Sequence, residues 1–219
     1  MNFQWSLSAL KLFERCKYAY KCRYLLRVPT TYGAAAQRGV DTHKVIEMNL
    51  TEGHPLSLEL DQKWGNAFRE IKQLPIQIEH KIGLTDEWTL APNYKDAWSR
   101  MVLDAKVKKP GGYVIYDWKT GKEYDEHYEQ KELYSLGVLS EHPEETTVTA
   151  VHVYLDLGKQ TKREYHRDQL LARRAQWDSR AKKLQGYLEA GDTGQWIPEP
   201  NYFCKWCSYS KGNGGKCKF

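Results

Sequence analysis

Apolar positions along the chain fall into two rhythms, one near 3.6 residues and one of two residues, and their succession predicts an alternation of helices and strands. Ser6 and Ser8 offer N-caps to a first helix on which Leu10, Phe13, Cys16 or Lys17, and Tyr20 recur at helical spacing. After a break over Pro29–Ala36, Gly39, Val40, His43, Ile46, Glu47 and Leu50 are spaced by threes and fours, so His43 shares a helix face with apolar residues. Leu58–Leu74 reads as a further helix, closed by Pro75. The period then changes to two. Ile76, Ile78 and Ile82 fall on one side of a strand and Glu79 on the other. Beyond a turn-rich segment with Gly83, Pro92 and Asn93, Met101, Leu103, Ala105 and Val107 share one strand face, while Asp104 shares the opposite face with Val102 and Lys106. Pro110-Gly111-Gly112 turns this strand into Tyr113–Gly121, giving an antiparallel hairpin. A helix follows from Asp125 or Glu126 to Leu139, then a β-branched strand over Thr147–Leu157. A turn at Gly158-Lys159-Gln160 leads into Lys162–His166, and a long helix starts at Arg167 or Asp168 with a stripe of Leu170, Trp177, Ala181, Leu184 and Leu188. The series predicts an α/β fold.

Length and composition narrow the function classes. A chain of 219 residues suffices for one substantial α/β domain, and 41% hydrophobic with 28% charged residues fits a globular protein rather than a disordered one. No apolar run is long enough to span a bilayer, and Met1-Asn2-Phe3-Gln4-Trp5-Ser6 lacks a charged segment followed by an apolar one; a soluble, cytoplasmic protein without a membrane partner is expected. The net charge of +5 is modest but uneven. Basic residues cluster over Lys11–Arg27 and again over Lys159–Lys183, a pattern shared by solvated helix faces and by tracks for phosphates. Tyr18, Tyr20, Tyr24 and Trp177 are interleaved with them, as core residues or as rings for base stacking.

Candidate chemistry centres on the second strand of the hairpin. In Asp117-Trp118-Lys119 the carboxylate and the ammonium project to one side of the strand. Alone this is also the pattern of a surface ion pair; it suits metal-assisted attack on phosphate when further ligands converge on it. Asp104 is a carboxylate inside an apolar strand, costly unless paired or bound to a cation, and the hairpin brings it toward Asp117. Two carboxylates at that separation repel unless a divalent ion neutralises them. His43 is either a satisfied core histidine or an imidazole ligand. Gln130 and Tyr134 lie four apart on one helix face and either stay structural or support substrate and metal. Of the five cysteines, Cys204-Lys205-Trp206-Cys207 and Cys217 supply three thiolates, one short of a closed site. Cys16, or with less support Cys22, remains to complete it.

In this order the residues Leu10-x-x-Phe13-x-x-Cys16, Arg38-Gly39-x-x-x-His43, Asp104, Asp117-x-Lys119-Thr120-Gly121, Gln130-x-x-x-Tyr134 and the terminal cysteines resemble the PD-(D/E)xK nuclease superfamily. Within it they resemble the RecB-like and Cas4-like exonucleases with a four-cysteine iron-sulfur cluster. The resemblance implies a restriction-endonuclease-like core, a central mixed sheet flanked by helices, with the N-terminal helix and C-terminal Cys-rich tail joined by a metal cluster. It implies a single nuclease domain over 1–219, with an N-terminal helix segment at 1–28, a core at 37–190 and a cluster segment at 191–219. His43, Asp104, Asp117 and the Trp118 carbonyl would be ligands of Mg²⁺ or Mn²⁺, and Lys119 would position the attacking water. Gln130 and Tyr134 would support DNA or the metal, and Glu79 matches a glutamate often found on an earlier strand. Cys16, Cys204, Cys207 and Cys217 would hold a [4Fe-4S] cluster, with Zn²⁺ as the alternative. The implied function is a metal-dependent DNA exonuclease acting on single strands or frayed ends. Protein partners in recombination, repair or spacer acquisition are further expectations. A structure-specific endonuclease and a non-catalytic zinc-containing DNA-binding module are the competing readings.

Overall fold

A computed structural model describes residues 3–31, 33–124, 126–191 and 196–219. Met1 and Asn2 of the amino terminus, Tyr32 within the predicted break, Asp125 as the earlier predicted helix start and residues 192–195 of the tail lie outside that set. The chain divides into two compact units, one of Phe3–Gln37 with Ala175–Phe219 and one of Arg38–Arg174. The divisions fall within two helices, α3 (Ala34–Glu52) and α6 (Arg167–Glu189).

The Arg38–Arg174 unit is built on a five-stranded mixed sheet in the order β1-β2-β3-β4-β5. Its strands are β1 (Ile76–Leu84), β2 (Ser99–Lys109), β3 (Gly112–Lys119), β4 (Thr147–Tyr154) and β5 (Lys159–His166). Three neighbouring pairs are antiparallel, and β3 with β4 is parallel, the two joined through α5 (Glu126–Glu141). At the β2–β3 turn Lys109 pairs with Gly112, and Gly111 between them takes φ 87°, a conformation that glycine adopts without steric cost. Ile46 and Leu50 of α3, and Phe68 and Ile71 of α4 (Leu58–Lys72), join Ala105, Val107, Tyr116, Trp118, Val151 and Val153 in one buried cluster on the sheet. Ser57 caps α4, its hydroxyl accepting from the Leu60 N–H.

The predicted common face of Ile76, Ile78 and Ile82 does not hold. Ile76 and Ile78 pack with the α3/α4 cluster, whereas His80 bonds Glu141 of α5 and Ile82 lies beside Gly137 of α5. Between them Glu79 takes φ 49°, and the β1–β2 pairing skips from Ile78↔Ala105 to His80↔Leu103. A single left-handed residue interrupts the pleat, so the alternation restarts on the other face. Met101 likewise meets α5, not the cluster that holds Ala105 and Val107: a Cβ on Gly137 would stand 2.6 Å from its Sδ. The predicted turn at Gly158-Lys159-Gln160 comes earlier, since β4 ends at Tyr154 and β5 already begins at Lys159. Arg167, counted with the basic residues open to phosphate, instead donates to the carbonyls of Leu139, His142 and Glu145 at the carboxyl end of α5.

In the other unit Ser6 caps α1 (Leu7–Arg15), its Oγ accepting from the Ala9 N–H. The predicted continuous helix breaks at Cys16, which is extended (φ −165°, ψ 113°), before α2 (Lys17–Tyr20) and a π-helical turn over Lys21–Leu25. Aromatic packing holds this unit: Trp5 stacks on Trp177 of α6, and Tyr20 stacks on Trp196 with centroids 5.9 Å apart. Arg180 of α6 is likewise occupied, paired with Glu14 through two 2.7 Å bonds.

Candidate active site and cysteine-lined cavity

Asp104 and Asp117 meet as the hairpin requires. The β2–β3 register runs to Ala105↔Tyr116, so its next step sets Asp104 opposite Asp117, and the Trp118 N–H donates to Asp104 Oδ2 at 2.8 Å. Helix α3 brings His43 Nδ1 to 3.4 Å from the same oxygen. Gly39, one turn earlier, makes that approach possible: its Cβ position is 3.2 Å from Thr120 Oγ1. Beside it the Arg38 guanidinium pairs with Asp156, which also accepts from the Gly121 N–H at 2.7 Å and so ties α3 to the end of β3.

Lys119 Nζ lies 2.6 Å from Asp117 Oδ2 and donates to Gln130 Oε1 at 2.7 Å, while Gln130 Nε2 donates to Asp117 Oδ1 at 2.8 Å. Gln130 of α5 thus clamps the carboxylate and the lysine together. Tyr134, one turn on, bonds Gln130, and burial holds its phenol protonated well above the ordinary range. Glu79 faces Asp104 and Glu47; burial, then those two carboxylates, raise its pKa. All seven candidate side chains lie in the Arg38–Arg174 unit, Glu79 at an unforeseen left-handed residue.

The electrostatics match a site built around negative charge. Burial lifts the Asp117 carboxyl to about 6, with Lys119 pulling it down and Asp104 pushing it up. His43 gains basicity although burial opposes it, because Asp104, Asp117 and the Trp118 carbonyl all favour its protonated form. His152, absent from the sequence-based candidates, stands across the parallel β3–β4 pairing from Asp117, its Nε2 3.7 Å from Asp117 Oδ2. Burial, then Lys119, Lys131 and His127, lower its pKa to about 2, so it is a neutral imidazole. The parallel register brings the two together, and a lone histidine in a β-branched strand gives no sign of it. Glu47, too, stands out in the sequence only as part of a helix face.

Asp117 Oδ2 is buried and meets the Lys119 ammonium at 2.6 Å. An oxygen in that condition, next to a second carboxylate and an imidazole, suits a hard divalent cation. Among the described residues, however, no group of three or more His, Cys, Asp or Glu side chains already converges as an ion site. The Lys119 ammonium and the Gln130 amide are what balance Asp117 here.

In the other unit Cys16, Cys204, Cys207 and Cys217 line one cavity of about 180 Å³. The extended Cys16 at the α1–α2 break, the Cys204 Sγ that accepts from the Asn201 N–H, and the Cys217 N–H bonded to the Tyr209 carbonyl fix three of them. Cys22 is buried with Ala19 and Tyr209 and does not reach the cavity wall. Burial raises its thiol pKa, against a hydrogen bond with Tyr18 that lowers it. Cys16 and Cys207 pack against the same small cluster as Cys22.

The family model described as PD-(D/E)XK nuclease superfamily matches residues 4–104 and 101–211, nearly the whole length. The chain belongs to the PD-(D/E)XK nuclease superfamily. Its mixed sheet flanked by helices is the restriction-endonuclease-like arrangement of that superfamily, as the resemblance implies. Among solved structures, a Eubacterium rectale protein provisionally described as an exonuclease aligns with TM-score 0.53 at 13% identity, covering 93% of this chain and 86% of its own. LHK-Exo in complex with dAMP aligns with TM-score 0.49 at 13% identity, covering 85% and 88%; LHK-Exo is an alkaline exonuclease from Laribacter hongkongensis. No curated protein matches the chain. Among the described residues no helix of this superfamily member is long and apolar enough to cross a membrane.

Proposed function

We propose that the chain is a divalent-metal-dependent DNA exonuclease of the RecB-like and Cas4-like kind, acting on single-stranded or frayed ends. The carrying observation is the facing pair Asp104 and Asp117 with Lys119 and Gln130 locked onto Asp117. His43, Asp104, Asp117 and the Trp118 carbonyl would hold Mg²⁺ or Mn²⁺, which when bound supplies Lewis-acid polarisation of the phosphate and acidifies water. Lys119 directs its ammonium at the attacking water and offsets charge on the phosphoryl oxygens. Gln130 keeps Lys119 within reach of Asp117, and Tyr134 holds Gln130. Glu79 and Glu47 add negative charge on the Asp104 side.

The four cavity-lining cysteines would hold a [4Fe-4S] cluster, which would couple the amino-terminal helix to the carboxyl-terminal tail as a structural element. A zinc ion held by the same four thiolates is the alternative. An odd number of cysteines with a Cys-x-x-Cys pair also suits the reducing interior of a cell.

Linear and circular single-stranded DNA, each with Mg²⁺ or Mn²⁺, test the reaction class. Nucleotide-by-nucleotide shortening of the linear strand with the circle left intact is expected. Opening of the circle assigns a structure-specific endonuclease instead, and inertness on both leaves a nucleic-acid-binding module.

A further inference from the structure

Three aromatic residues of the carboxyl-terminal segment stand in water. Tyr202 is 69% exposed, Trp206 59% and Phe203 42%, all on the short 3-10 helix Tyr202–Trp206. Large rings left this wet in one cluster mark an interaction surface. Their placement is held from beneath. Asn201 caps the turn through its Oδ1, which accepts from the Phe203 N–H, and its amide donates to the Arg15 carbonyl. Asn213 donates to the carbonyls of Lys205 and Cys207. The rings are therefore set on a hydrogen-bonded backbone.

Each ring also carries a cation. Lys205 Nζ lies 3.9 Å from the centroids of both Tyr202 and Trp206, whose rings meet edge to face at 4.9 Å. The Arg15 guanidinium sits 4.1 Å over Phe203. Pro200–Phe219 contains Lys205, Lys211, Lys216 and Lys218 and no acidic residue, and the preceding Glu199 is paired with Lys17. The surface is thus cationic and aromatic at once. A partner that complements both properties offers flat π faces joined by regularly spaced negative charges. Single-stranded nucleic acid has that chemistry, whereas a duplex hides its base faces.

We propose that Tyr202, Phe203 and Trp206, with Lys205 and Arg15, form a platform on which unpaired bases of single-stranded nucleic acid stack while the cations pair with its phosphates. Only the role of the bound strand as a substrate rests on the nuclease reading; binding to the platform does not involve the Asp104–Asp117 centre.

The test is fluorescence anisotropy of the 219-residue chain with a labelled oligothymidylate in buffer free of divalent cations, where no cleavage occurs. A sugar-phosphate oligomer of equal length lacking bases, and a blunt duplex, are run beside it. Trp206→Ala is expected to weaken oligothymidylate binding about 10-fold, Trp206→Phe to retain most of it, and Tyr202→Ser to weaken it similarly to the alanine variant. Binding to the base-free oligomer should ignore all three. Unchanged affinity in both Trp206→Ala and Tyr202→Ser overturns the proposal, and so does an equal loss on the base-free oligomer. Duplex binding as tight as oligothymidylate binding overturns it as well. Thermal melts accompany each variant; should Trp206→Ala melt early, the Trp206→Phe and Tyr202→Ser results decide. The two readings separate cleanly. Wild-type protein that binds through Trp206 but cuts no DNA with Mg²⁺ keeps the platform and loses the nuclease, and protein that cuts while its binding ignores these rings does the reverse.

Discussion

Removing the charge of Asp117 should abolish the reaction and at the same time stabilise the fold. Burial lifts this carboxyl from 3.8 to about 6, even though Lys119 pulls the value down, so folding favours the neutral form. The stabilisation gained by holding that proton is complete below about pH 3.8 and is lost as the pH rises through about 6. Over that interval the native protein gives up on the order of 3 kcal/mol. Asp117→Asn keeps the shape of the neutral acid and an oxygen for the Gln130 amide, and it cannot ionise. For a chain of this length the difference corresponds to about 6–12 °C in melting temperature. Thermal melts of both proteins in metal-free buffer, from about pH 4 to about pH 8, measure it. The curves should nearly coincide at the acid end, with the asparagine variant melting higher as the pH rises. Mg²⁺ should then raise wild type and leave the variant where it is. An Asp117→Asn protein that melts lower than wild type at pH 8, or by a constant offset at every pH, would refute the view of Asp117 as a buried, charge-burdened ligand.

Other expectations follow from the same structure. Glu141 of α5 takes hydrogen bonds from His80 and the buried Lys106, which outweigh burial and lower its pKa from 4.5 to about 2. Its contribution is present above about pH 4.5 and lost as the pH falls toward 2, so Glu141→Gln should cost about 3 kcal/mol at neutral pH, by urea titration, and little near pH 2. His152→Phe should weaken Mn²⁺ binding, read by electron paramagnetic resonance, about 10-fold while His152→Gln restores it, because the glutamine amide places a polar group toward Asp117 where the phenyl ring does not. Equal affinity in both variants would assign His152 to packing alone. Iron and sulfide analysis of anaerobically purified protein should give about four of each per chain, falling toward zero in Cys204→Ser and unchanged in Cys22→Ser. Stoichiometric zinc without iron would sink the cluster.

Much of the fold follows from patterning that the sequence carries openly. The hairpin is legible because Pro110-Gly111-Gly112 separates two alternating runs, and counting back from that turn already sets Asp104 against Asp117. The 3.6-residue spacing that carries His43 on α3 is equally plain. What escapes is conformational. Face assignments by alternation hold only while every residue stays extended, and nothing about Glu79 announces its φ of 49°. Cys16 fits a helical spacing, yet the chain breaks there and turns the thiol toward the cavity. His152 and Asp156 lie thirty-odd residues from their partners Asp117 and Gly121, and meet them only through the parallel β3–β4 pairing and its outgoing turn. Arg167 looks like one more cation of a basic stretch; its three carbonyl acceptors become visible only once α5 ends beside it.

The most direct test of the central claim is the rate at which end-labelled linear single-stranded DNA is degraded with Mg²⁺ or Mn²⁺ by wild type, Asp104→Ala and Lys119→Ala. Lys119→Ala leaves Asp117 and its Gln130 bond in place, so its loss reports on positioning of the reaction. Wild type should shorten the strand from its end, with each variant slower by about 10²-fold or more. Degradation by either variant at the wild-type rate would show that the chemistry lies elsewhere.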